Sequence, residues 1–347
     1  MQRPSLESLP EEVRSYILYL ENELEKFNKP KTAPLADRNV EPELEPLELP
    51  TLYTILTGSG SGLMKKTPRH IYQRQRRGGM GVFDIELPDD QMPIILSHMH
   101  QEQKALILTS FGRAFHLNLQ KLPESQIRER GSLVSHHILP LEPTEEVTSI
   151  LPNPSQGYLN LLTLSGYVRR FRHHIFGDYL KPGSSLVDVR EHGRLISACG
   201  SNGDQDIFIA SRRGIGIRFS EKSIPPNGCL GLRLSADDEA ISIAAVDDKS
   251  VVFLMSAEGM GTRRLMSGFS ANKSPGTGGK IAMKTDSLIG AVTVSDTGDL
   301  FAISRLSKII RFKAAEVPAK DSVVQGVICM SLRSDDCVAL AAAEIEA

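Results

Sequence analysis

The chain contains no tryptophan, and aromatic residues make up only 5% of its 347 positions. The missing tryptophan excludes the Trp-Asp dipeptide of WD40-type blades. Cysteine is scarce: Cys199, Cys229, Cys329 and Cys337 show no Cys-x-x-Cys spacing and sit in or beside apolar runs. They read as small core residues, not as metal ligands or disulfide partners, and a reducing, cytoplasmic compartment is the expectation. No uninterrupted apolar stretch approaches the ~18 residues of a membrane span, and the N-terminus lacks a signal-peptide pattern, so no membrane partner is expected. Histidines come in pairs (His98 with His100, His136-His137, His173-His174) without a third ligand at metal-binding spacing. No nucleophile–base–orienter set is visible, and no cofactor is expected. Ser274-Pro-Gly-Thr-Gly-Gly-Lys280 lacks the first glycine and the final Ser or Thr of a phosphate loop, and reads as an inter-strand loop.

A motif recurring six times dominates what remains. Each copy has a short apolar run ending in Ser or Thr, a turn, and a marker residue four places past the turn. The turn residues are Gly62, Gly112, Gly166, Gly214, Gly259 and Ser307, at spacings of 50, 54, 48, 45 and 48 residues. The markers are Lys66, His116, Arg170, Arg218, Arg263 and Arg311, basic in every copy except for the histidine. A Ser or Thr stands three before each turn: Ser59, Thr109, Thr163, Ser211, Ser256 and Ser304. Acidic pairs such as Glu145-Glu146, Asp237-Asp238 and Asp335-Asp336 recur before a further apolar run, and this repetition favours turn chemistry over catalysis. Gly58 to Gly62 reads as a hairpin turn two residues longer than its counterparts. Four strands per unit and six units predict an all-β, six-bladed, propeller-like array over residues 52–347. If the repeats fold alike, the marker cations fall at one height around a disc and suit a curved anionic polymer.

Two segments precede the array. Residues 1–28 hold a predicted helix: Val13, Ile17, Leu20, Leu24 and Phe27 form an a/d stripe, with Ser8 and Glu11 as a capping box. The stripe predicts docking or weak self-association through residues 9–27. Residues 29–51 form an acidic, proline-rich linker, expected either to be a solvated spacer or to fold back on the basic rim. The net charge of −2 divides unevenly: residues 1–50 carry 6 basic and 11 acidic residues.

In the first repeat stands Gln75-Arg-Arg-Gly-Gly-Met-Gly81. It resembles the Gln-basic-Arg-Gly-Gly-basic-Gly box in the C-terminal domain of gyrase A and of its topoisomerase IV counterpart. Gly62-Leu-Met-Lys-Lys-Thr-Pro68 and Gly166-Tyr-Val-Arg-Arg-Phe171 are similar to that family's repeats. The resemblance implies a six-bladed β-pinwheel whose basic rim wraps duplex DNA through phosphate contacts, its box glycines letting backbone N–H groups approach phosphates and the loop bridge the first blade to the last. Met80 departs from the box, where the family carries a cation. No tyrosine follows an arginine, so the family's strand-cleaving Arg-Tyr pair is lacking and a free-standing, non-cleaving pinwheel is expected.

The candidate DNA-binding residues are Lys65, Lys66, Gln75, Arg76, Arg77, Gly78, Gly79, Gly81, Arg169, Arg170, Arg172, Arg218, Arg263, Arg264, Lys308 and Arg311. Double-stranded DNA is the expected partner, with gyrase or topoisomerase IV subunits next and a nucleoid-associated location. Two rival readings stand beside it. One is an accessory part of an ATP-hydrolysing type II topoisomerase whose cleaving subunit is encoded separately. The other is a protein-interaction propeller that has lost DNA wrapping.

Overall fold

The computed structural model describes residues 13, 17, 48–138, 140–154 and 156–344. The helix expected over 9–27 and most of the acidic linker lie outside the described residues, although Val13 and Ile17 are helical. Leu47–Ala347 is one compact unit. Among its described residues, helix is limited to Val189–His192 and short 3₁₀ turns.

Six sheets share one pattern. In the first, Ile95–His100 pairs with Tyr53–Gly58, which pairs with Leu63–Pro68. The innermost strands of the six blades are Ile95–His100, Val147–Pro152, Leu195–Ser201, Ala240–Val246, Leu288–Thr293 and Cys337–Ala343, and each contacts the next around a closed ring. Their apolar side chains, among them Ile95, Ile150, Ile243 and Leu340, line a narrow axial channel of about 240 Å³.

The outermost strand of every blade comes from the following repeat. Ser132–Leu133 completes blade 1, and Ser184–Ser185 completes blade 2. Cys229–Leu230, Lys280–Ile281 and Val327–Ile328 do the same for blades 3, 4 and 5. Val82–Phe83, from the first repeat, pairs with Lys308 and Ile309 of blade 6 and closes the circle.

The repeated turn explains the sequence motif. Gly62, Gly112, Gly166, Gly214 and Gly259 all have positive φ, a conformation that costs glycine nothing; Ser307 adopts it at φ 61°. The Ser or Thr three residues earlier accepts from the amide after the turn, as Arg113 N to Thr109 Oγ1 at 3.3 Å and Lys308 N to Ser304 Oγ at 3.2 Å. Gly62 N donates to Ser59 O just as Gly112 N donates to Thr109 O. The first hairpin therefore has the same turn as its counterparts, and the expectation of two extra residues is corrected. The acidic pairs cap these hairpins: Glu145 is buried and accepts from Arg113 Nε at 2.8 Å, and Asp335 Oδ1 accepts from Leu306 N at 3.1 Å.

The core lies between blades. Leu56 and Met64 of blade 1 meet Ile107 and Phe115 of blade 2, and Phe253 of blade 5 meets Leu300 and Phe312 of blade 6. Each such side chain contributes about 1.5–3 kcal/mol on burial, so neighbouring blades stabilise one another. Cys329 and Cys337 are buried free thiols. Burial pushes the Cys329 thiol up to about 12, and that of Cys337 higher still.

Candidate nucleic-acid interface

The six markers do not face outward. Each stands at the junction with the next blade, against the 3₁₀ turn that follows that blade's second strand. Lys66 Nζ donates to Leu119 O at 2.9 Å, and His116 Nε2 lies 2.9 Å from Phe176 O. Arg218 Nη1 donates to Met266 O and Phe269 O at 2.8 and 3.3 Å. Arg263 Nε donates to Val317 O at 2.6 Å, and Arg311 Nη1 to Arg69 O and Tyr72 O at 3.3 and 3.0 Å. Arg170 sits over the Tyr158 ring, 3.7 Å from buried Glu221 at the start of its turn. A short turn leaves carbonyls without intrachain partners, and a long cationic side chain supplies donors from across the junction.

The expectation of one exposed row of marker cations is therefore corrected. Lys65, Lys66, Arg218, Arg263, Arg264 and Arg311 are all buried. Acidic groups compensate most of them. Arg311 contacts Asp299 and Glu48, each at 2.5 Å; Arg218 contacts Asp206 and Asp248; and Arg263 pairs with Asp296. Lys65 Nζ lies 2.8 Å from Asp84 Oδ1 and also donates to Asp84 O and Gln126 O. Burial lowers the pKa of Lys65, against the pull of Asp84, and lowers that of Lys66. Arg169 donates to Leu186 O at 2.9 Å and is half-buried, as are Arg170 and Lys308, while Arg172 is exposed.

The box residues form the clasp between the first and last blades. Gln75 N donates to Arg311 O, Gly78 N to Cys329 O, and Ser331 N to Gly79 O. Gly79 N donates to Arg76 O, and Arg77 N to Glu316 Oε2 at 2.8 Å. These amides are spent inside the protein, which corrects the idea that they approach phosphates. Gly81 has φ 73°, and a Cβ there would stand 2.7 Å from Ile309 O, so only glycine fits. The side chains of Arg76, Arg77 and Met80 remain exposed.

Glu48, from the acidic strip, bonds both Arg69 of blade 1 and Arg311 of blade 6. Burial works to raise its carboxyl, but the bonds and charges of the two arginines outweigh that and hold it below the usual range. His98 completes this seam: it stacks on Tyr53 at 4.9 Å, and its Nε2 lies 3.2 Å from Arg69 Nη1. Burial, with the charges of Arg69 and Arg311, pushes its imidazole down to about 4. Among the described residues no group of His, Cys, Asp and Glu could hold a metal.

The outward surface belongs to residues without a repeat register. Between each second strand and the swapped strand runs an outer segment. Exposed there are Arg76 and Arg77; Lys121, Arg128 and Arg130; Lys181; Lys273 and Lys280; and Lys320. The swapped strands add exposed Phe83, Leu133, Leu230, Ile281 and Ile328. Sequence reading missed these because period, not exposure, was its signal.

The geometry defines a closed six-bladed β-pinwheel with exchanged edge strands. A family model described as DNA gyrase C-terminal domain, beta-propeller, matches residues 53–91, 205–247 and 298–342, and the repeats of this chain are those of that family. The DNA gyrase A protein of Chlamydia pneumoniae is 26% identical over 299 residues, covering 82% of this chain and 36% of the relative. That of Mycolicibacterium smegmatis is 28% identical over 298 residues, covering 81% and 35%. The chain thus spans about a third of the length of these relatives. The solved DNA gyrase A C-terminal domain superposes with TM-score 0.75 at 21% identity, over 84% of this chain and 100% of that one. The C-terminal domain of DNA topoisomerase IV gives 0.59 at 16%, over 84% and 93%. These two structures share the fold.

Proposed function

We propose that this pinwheel binds duplex DNA along its outer edge, bends it, and serves a type II topoisomerase as a wrapping module without cutting strands itself. The observation that carries this reading is a ring of gyrase-type repeats whose outer segments bear exposed cations. The cations that remain outside are densest on two adjoining segments, Arg76 and Arg77 at the seam and Lys121, Arg128 and Arg130 at the next junction. A duplex then meets an arc, not the full circle foreseen from the markers. Arginine and lysine on flexible outer segments neutralise phosphates irrespective of sequence. Bending costs several kcal/mol, offset by the phosphate contacts that the curve brings within reach. The absence of an Arg-Tyr pair in the sequence supports a non-cleaving role. A nucleoid-associated location follows from the reading.

The test is a gel shift with relaxed circular DNA, followed by topoisomerase treatment to read any change in linking number. Binding with a handed linking-number change is expected; no shift at low salt overturns the reading. If five phosphates are neutralised, log K falls against log salt with a slope of about −4.5. A second reading, a protein-interaction propeller, is favoured by the exposed apolar residues on the swapped strands, such as Phe83 and Ile281. It predicts salt-insensitive capture of a protein and no DNA shift.

A further inference from the structure

The second strand of blade 5 places two arginines in succession, and their surroundings differ. Arg263 donates to Val317 O and pairs with Asp296. Arg264 is only 5% exposed, yet its Nε and Nη1 have no hydrogen-bond partner. The same register in the other repeats holds Thr67, Leu117, Phe171, Phe219 and Phe312. Of these, Leu117, Phe219 and Phe312 are core residues. Blade 5 alone puts a guanidinium into a slot that four of the others fill with an aliphatic or aromatic side chain. Such a group gives up its hydration without regaining bonds, a cost only an incoming acceptor can offset.

The neighbours suit an anionic acceptor. The Arg264 Cζ and the Lys280 Nζ each lie 5.8 Å from the ring centre of Phe269. Phe269 packs edge-on against Phe208 of blade 4, which locates the group at the junction of blades 4 and 5. Lys320 is the register partner of Arg264 on the parallel outer strand and is exposed. One carboxylate, Asp321, acts on Arg264, with no ion pair between them. We propose that Arg264, Lys280 and Lys320 form a seat for a phosphate group at the outer edge of this junction. The phosphate is either one of a duplex backbone or a free phosphate; the seat itself does not depend on the arc around Arg76 and Arg77.

The test titrates inorganic phosphate into the full chain at fixed ionic strength and follows the thermal midpoint and the ³¹P line width. Saturable stabilisation by phosphate, absent with chloride, is expected. Arg264→Phe, which installs the residue type of the sister blades, should raise the midpoint without phosphate and abolish the phosphate response. Lys280→Met, at an exposed site that leaves folding intact, should weaken phosphate binding several-fold. An unchanged response in both variants, or none in the native chain, overturns the seat. Duplex titrations separate the sources. A salt slope reduced by about one in Arg264→Phe assigns a backbone phosphate. Unaltered duplex binding with a lost phosphate response assigns free phosphate. A phosphate response in a chain that ignores DNA would sink the wrapping reading while the seat stands.

Discussion

The guanidinium of Arg311, in the last blade, donates to the carbonyl oxygen of Tyr72, in the first, across 3.0 Å. That bond spans the whole described pinwheel in sequence and holds its seam shut. Arg311→Met leaves Asp299 and Glu48 as poorly compensated buried carboxylates. Removing one partner of a buried pair costs about 3 to 5 kcal/mol. A urea midpoint lowered by that amount is expected, and a loss below 1 kcal/mol would show that the seam does not rely on this group.

The box should report on stability and on charge separately. Gly81→Ala forces a Cβ against Ile309 O at positive φ and should cost more than about 1 kcal/mol in chemical denaturation. Met80 is 52% exposed, so Met80→Lys should leave stability alone and steepen the DNA salt slope by about one. A folded Gly81→Ala chain of native stability would contradict the clasp.

Exposed and buried cations should separate cleanly in DNA binding. Replacing Arg76 and Arg77 together by Ala should shallow the salt slope by about two, with little change in the thermal midpoint. Lys66→Met should lower the midpoint, because Leu119 O loses its donor, while the slope of the folded fraction stays native. The reverse pattern, read by fluorescence anisotropy across salt, would reinstate the markers as phosphate contacts.

Acid should open the seam first. The folded pKa of His98 is about 4, below the 6.5 of a free imidazole. The unfolded chain therefore binds the extra proton, and stability falls as pH drops from about 6.5 to 4, by up to roughly 3 kcal/mol. Glu48, also held down, loses its contribution in the same direction as pH falls through its lowered pKa. His98→Gln should flatten the limb between pH 6.5 and 4; an unaltered profile would remove His98 from this role.

Much of the fold was legible because it repeats. The Ser or Thr, the positive-φ turn and the inner apolar run each occur six times, and each has one local cause, visible in Thr109, Gly112 and Val147. The bridge from first blade to last followed from the box glycines. The site was less legible. A basic residue at a fixed register looks the same in sequence whether it faces water or a turn carbonyl. Lys66 and Arg311 proved to be fasteners between blades, while Arg128 and Arg130, which have no register, are the outward charges. Nothing in the pattern marked Glu48 as the anion shared by Arg69 and Arg311, since that contact joins chain segments far apart in sequence.

The exchange of edge strands means that no repeat owns a complete blade. Val82–Phe83 lends blade 6 its margin, as each repeat does for its predecessor. Loss of one repeat would strip two junctions, so melting should resemble the failure of a hoop, abrupt and indivisible, where a linear repeat array frays from its tips.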